Sequence, residues 1–148
     1  MELAMTKQER EAFLAEAHIG IMSVDWQGRG PLTVPIWYDY EPGGEIVILT
    51  TPGSRKAKLL DRAGRFTLCA QTETPPYKYT SVEGPVVSIT AADVERDSRP
   101  MARRYLGDEL GDAYVEETSD QDGDAVAIRM RPERWKTVDY SKQYGNGG

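Results

Sequence analysis

Apolar and polar positions change period several times along the chain, and each change marks an element. Thr6 and Glu9 have capping-box spacing, and Phe13, Leu14 and Ala17 then recur on one side of a short helix reaching Ala17. Ile19 to Val24 reads as a first strand, followed by a turn around Gln27-Gly28-Arg29-Gly30. From Leu32 to Tyr40 the pattern alternates, with Leu32, Val34, Ile36 and Tyr38 on one face. Pro35 cannot donate to a ladder, so this strand is expected at an edge or bulged. Pro42-Gly43-Gly44 turns the chain into a buried run, Ile46 to Leu49, which Pro52-Gly53 stops. Ser54 then caps a helix whose apolar stripe is Leu59, Leu60 and Ala63, ending at Gly64.

Arg65 to Gln71 is the next strand, and Tyr77 to Ile89 is a long one, bent at Gly84-Pro85. A helical stretch from Ala92 to about Glu117 follows, expected to be interrupted at Pro100 and Gly107, with Val94, Met101, Tyr105 and Leu106 facing inward. Ser119 to Asp124 is an acidic turn that lacks the ligand spacing and closing glutamate of a calcium loop. Val126, Ile128 and Met130 alternate as a strand, and Arg134 to Val138 forms the last one. Hairpin-linked strands with helices between them predict a mainly β fold, a small β-barrel with peripheral helices. Residues 1–140 are expected to form one domain and 141–148 a flexible C-terminal tail.

Composition narrows the function. With 18 Lys+Arg against 24 Asp+Glu the net charge is −6, which argues against a nucleic-acid partner. No apolar run approaches a membrane span, and the N-terminus lacks the apolar core of a signal peptide, so no membrane partner is expected. Cys69, the single cysteine, sits in a strand-like run and fits a buried thiol in a reducing compartment, hence a cytoplasmic location. His18 is the single histidine, at a helix–strand junction where packing is expected. A structural zinc site needs several Cys or His ligands and the chain has two such residues in total, so no metal is expected. Any redox or group-transfer chemistry would have to come from a cofactor.

The feature with most chemical content is the first turn of the helix after Ser54, which carries Arg55, Lys56 and Lys58. Cations there oppose the helix dipole, and a bound anion would remove the conflict. Lys56 also lies three, four and seven residues before Leu59, Leu60 and Ala63, so its stem points inward. A basic turn that simply faces water is the alternative.

Four segments, in order, carry a resemblance: Val34-Pro35-Ile36-Trp37-Tyr38, Thr50 to Lys58, Tyr77 to Gly84, and Arg103-Arg104-Tyr105-Leu106-Gly107. Together they resemble the flavin and deazaflavin oxidoreductases of the split β-barrel type, relatives of pyridoxamine 5′-phosphate oxidase, over roughly Thr6 to Tyr140. With the Arg134-Trp135 ending, the chain looks most like the branch that uses coenzyme F420, a deazaflavin; the FMN-binding branches are the alternative. The resemblance implies a homodimer with its cofactor sites at the subunit interface and a small organic substrate. It places Ser54, Arg55, Lys56 and Lys58 in the phosphate-binding segment, Val34, Pro35, Ile36 and Trp37 along the ring, and Thr50 and Thr51 beneath ring and phosphate. Gln71 and Tyr79 become candidates to approach the partner's cofactor. The implied activity is hydride transfer between the bound cofactor and the substrate, with a non-catalytic cofactor carrier as the other reading. No catalytic acid, base or nucleophile stands out in the chain.

Overall fold

The computed structural model describes residues 2–118 and 125–144; the acidic turn expected at Ser119 to Asp124 and the last residues of the expected tail lie outside them. The chain runs α1 (Lys7–Ala15), β1 (Gly20–Val24), β2 (Leu32–Ile36), β3 (Ile46–Thr50), α2 (Arg55–Ala63), β4 (Arg65–Gln71) and β5 (Lys78–Ala91). One π-helical turn (Val94–Ser98) leads into α3 (Arg99–Leu106), α4 (Asp108–Thr118), β6 (Val126–Met130), β7 (Arg134–Asp139) and the short α5 (Ser141–Tyr144).

The seven strands form one antiparallel sheet in the order β2-β1-β4-β5-β6-β3, with β7 also paired to β5. Strand β5 makes this possible. Its first half pairs with β4 and β7, from Lys78 to Pro85, and its second half pairs with β6, from Val86 to Ala91. Between the halves, a Cβ on Gly84 would sit 1.8 Å from the Arg131 carbonyl oxygen, so only glycine lets the strand pass there. A register shift between Val86 and Ser88 completes the bend. The two ends of the strand path then meet, because Asp39 exchanges both backbone hydrogen bonds with Val47 of β3, each at 2.9 Å. The sheet therefore curls into a split barrel around Met22, Tyr38, Ile46, Ile48, Leu68, Ile128 and Met130, all almost fully buried.

Several boundaries differ from expectation. Helix α1 stops at Ala15, because Glu16 is already extended (φ −67°, ψ 153°), which leaves Ala17 exposed. The β2 ladder stops at Ile36: the Tyr38 N–H is taken by the Tyr105 hydroxyl (3.0 Å) instead of a neighbouring strand. Pro35 is tolerated as foreseen, since β2 is the edge strand and pairs only with β1. Pro100 does not interrupt a helix; it lies in the first turn of α3, where a missing N–H removes no bond. The expected tail begins as a helical turn, with Lys142 Nζ 2.6 Å from Glu9 Oε1.

Candidate functional site

Helix α2 starts as its sequence requires. The Ser54 hydroxyl accepts the Ala57 N–H (3.1 Å) and lies 3.1 Å from the Thr50 hydroxyl, which ties the helix start to the end of β3. Gly64 closes the helix in the left-handed conformation (φ 70°). Leu59 and Leu60 are buried, and that fixes the rotation of the whole helix. With that rotation Lys56 turns toward the barrel, while Arg55 and Lys58 turn away and are exposed.

Lys56 enters a cavity of about 260 Å³ between the barrel wall and the α3–α4 pair. Its strand wall is Pro35, Ile36, Trp37, Leu49, Thr50 and Thr51. Its helical wall includes Val94 and Ser98 from the π turn, Met101 and Ala102 from α3, and Tyr114, Val115 and Thr118 from α4. The lining is thus mostly apolar, with two aromatic rings, four hydroxyl-bearing side chains besides Tyr114, and one cation. Burial lowers the Lys56 pKa from its ordinary value. Among the described residues no carboxylate pairs with it. The N–H groups of Arg55 and Lys56 head α2, where no preceding turn supplies acceptors. A half-buried, unpaired ammonium beside a helix N-terminus and the Thr50 and Ser54 hydroxyls suits an anion; the apolar wall with Trp37 suits a flat conjugated ring. The donor set therefore fits a phosphorylated tricyclic cofactor.

Of the twelve residues singled out from the sequence, the cavity gathers Pro35, Ile36, Trp37, Thr50, Thr51 and Lys56, with Ser54 bonded to its rim. Val34 packs against the core instead, one position out of phase with Pro35. Arg55 and Lys58 border a different hollow, beside Trp26. Gln71 and Tyr79 are cross-strand partners of each other on β4 and β5, outside the cavity. Two cations of the Arg103-Arg104-Tyr105-Leu106-Gly107 segment are occupied by the chain itself. Arg104 lies across the end of α1, donating to the carbonyls of Ala15 (2.6 Å) and Glu16 (2.6 Å), and Arg103 grips Asp112 through two bonds of 2.8 and 2.9 Å.

Sequence reasoning missed most of the helical wall. Val94 was expected to face inward and does border the cavity, yet it stays exposed. Tyr114, Val115 and Thr118 were not foreseen; the i, i+1, i+4 pattern on α4 was the signal available. Trp37 is held by neighbours that the strand pattern alone does not reveal. It stacks on Tyr105 (4.8 Å between ring centres, 9° between planes) and meets Tyr114 at 5.7 Å. The Tyr105 hydroxyl in turn donates to the His18 carbonyl (2.6 Å). His18 itself stacks on Phe13 at 4.4 Å, a packed residue outside the cavity lining, as its position suggested.

Comparison with known proteins agrees with the fold. A conserved hypothetical protein from Mycobacterium tuberculosis superposes with a TM-score of 0.81 at 22% identity, over 97% of this chain and 90% of its own. The FAD and heme binding protein from Mycobacterium smegmatis gives 0.69 at 14% identity, over 100% and 81%. An F420 reductase gives 0.61 at 17% identity, over 85% and 94%. No curated protein sequence matches the chain. No helix among the described residues is long and apolar enough to cross a membrane. The family model described as pyridoxamine 5′-phosphate oxidase matches residues 6–139, nearly the whole chain. With its split barrel and its cavity at the start of α2, the chain belongs to the pyridoxamine 5′-phosphate oxidase family.

Proposed function

We propose that this protein is an oxidoreductase that binds coenzyme F420, or alternatively FMN, in the cavity around Lys56 and passes a hydride to or from a small organic substrate. The observation that carries this reading is the unpaired, half-buried Lys56 ammonium set into an otherwise apolar, aromatic-lined cavity. Lys56, with the hydroxyls of Ser54, Thr50 and Thr51, would hold the cofactor phosphate. Pro35, Ile36 and Trp37 would form the wall against the ring, and Tyr105 would keep Trp37 in place. When bound, the cofactor supplies the hydride chemistry; the chain's share is orientation, exclusion of water and electrostatics.

A second copy of the chain is part of this proposal. At about 260 Å³ the cavity is smaller than the roughly 300–1,000 Å³ of sites that enclose a drug-sized ligand, so one protomer covers only part of such a cofactor. An exposed apolar strip is available for a partner on the outer face of the sheet, where Ile21 lies between Pro35 and Cys69 and Ile19 continues the row. A homodimer working in the cytoplasm fits this face and the single thiol.

Titration of the purified protein with F420 and with FMN, followed by fluorescence, tests the reading. A charge-assisted phosphate contact is worth about 1.5–3 kcal/mol, so Lys56→Ala should weaken binding at least about tenfold. Unchanged affinity would remove the phosphate assignment. Tight binding without acceptor-dependent reoxidation of the reduced cofactor would instead favour a carrier.

A further inference from the structure

We propose a second anion site on the opposite face of α2, built by the helix and the β1–β2 turn, whose ligand is a short linear polyanion of phosphates or carboxylates. Arg55, Lys58 and Arg62 follow one another at i, i+3 and i+7, so they share one face of α2. Facing them, the turn after β1 presents Trp26 and Gln27, and a hollow of about 660 Å³ with Leu59 in its lining lies between. Arg29 joins the group from the same turn, its guanidinium 3.9 Å from the centre of the Trp26 ring.

Charge and geometry both point to an anion. In a chain with 24 acidic and 18 basic side chains, four cations gather where the hollow's lining offers one carboxylate, Asp25. Arg65, Arg99, Arg103 and Arg129 each hold a carboxylate, whereas among the described residues none of Arg29, Arg55, Lys58 and Arg62 does. Their fixed contacts are to neutral groups. Arg62 donates to Gln27 Oε1 at 2.5 Å, and Arg29 and Arg55 lie over the Trp26 ring at 3.9 and 5.2 Å. Such contacts position the guanidiniums without neutralising them, so the donors are pre-organised and their mutual repulsion is unrelieved. Arg55 is further disfavoured by the helix dipole. From Arg55 to Arg62 the row is about 10 Å long at 1.5 Å per residue, which matches several linked charges better than one.

This site does not depend on the cofactor reading, because Lys56 faces the other way. Calorimetric titration with tripolyphosphate and with tetraglutamate tests it. At least one probe should bind at low salt, with affinity falling steeply as salt is added. The double substitution Arg29→Ala, Arg62→Ala should weaken that binding at least tenfold, while Lys56→Ala leaves it unchanged. Binding should be accompanied by a change in tryptophan fluorescence that Trp26→Phe abolishes. The better probe identifies a phosphate or a carboxylate chain as the source. Absence of binding by both probes at low salt, or binding lost in Lys56→Ala and kept in the double variant, would overturn the proposal.

Discussion

The two walls of the cavity are held by different forces. On the strand side, backbone ladders and buried apolar side chains fix Pro35, Ile36, Leu49 and Thr50, and the tight passage at Gly84 leaves no slack. On the helical side, α3 and α4 reach the barrel through buried Met101, Ala102 and Val115 and the Tyr105–Trp37 stack, and charged contacts join these. The Asp97 carboxylate at the π turn meets Arg129 of β6 at 2.5 Å, both side chains being buried. Asp112 of α4 is clasped by Arg103 and Arg99 of α3, and these groups are much more open to water. A wall held by ladders and apolar packing answers little to pH; a wall held partly by ions answers to pH, salt and single substitutions. The cavity thus pairs a fixed floor with a cover that has its own, separable stability.

Breaking the buried pair should have the largest effect. Asp97→Ala leaves the Arg129 charge buried without its partner, which costs about 3–5 kcal/mol. Urea unfolding should show that loss, and hydrogen exchange should place the excess opening in residues 94–118. Equal loss of protection throughout the barrel would remove the distinction between the walls. Next comes Gly111→Ala, because a Cβ there would lie 2.7 Å from the Arg103 backbone nitrogen, where α4 presses on α3. Wedging the helices apart should cost about 1–3 kcal/mol and change cofactor affinity, while the strand ladders keep their exchange protection.

The smallest effect is the pH dependence of the open clasp. Arg103 and then Arg99 hold the Asp112 carboxyl down from its usual range to about 2. A carboxylate with a depressed folded-state pKa stabilises above its ordinary value and loses that contribution as pH falls toward 2. Emission from Trp37, which meets Tyr114 of α4, should report this loosening on acid titration. Asp112→Asn should remove that step in the same window. An unaltered acid limb in the variant would assign the transition to other carboxylates.

How much was legible in the sequence follows the same division. Strand β4 and helix α2 were read with their observed limits, as was the Ser54 cap, because a period, a stop residue and a cap are all local. Pro35 limited its strand to an edge or a bulge, and the strand lies at the edge. The helical wall was read poorly. Pro100 looked like a break and is a first-turn residue, and the π turn before it leaves no periodic signature. Within the site, Lys56 was predicted to turn inward from its spacing to Leu59 and Leu60, and it does. Arg55 and Lys58 looked like its companions only because a linear motif does not show on which side of the helix each lies.

What the chain dictates alone is where β4 and α2 begin and end, which faces of its strands are apolar, and that one lysine on α2 is drawn toward the core. Those follow from interactions between residues a few positions apart. Tertiary structure decided the rest: that Tyr105 stacks on Trp37 across 68 residues, that Arg104 serves the end of α1, and that α3 and α4 roof the cavity. Such contacts depend on how the sheet curls, and the curl is set by close approaches such as Gly84 against Arg131, between backbones remote in sequence.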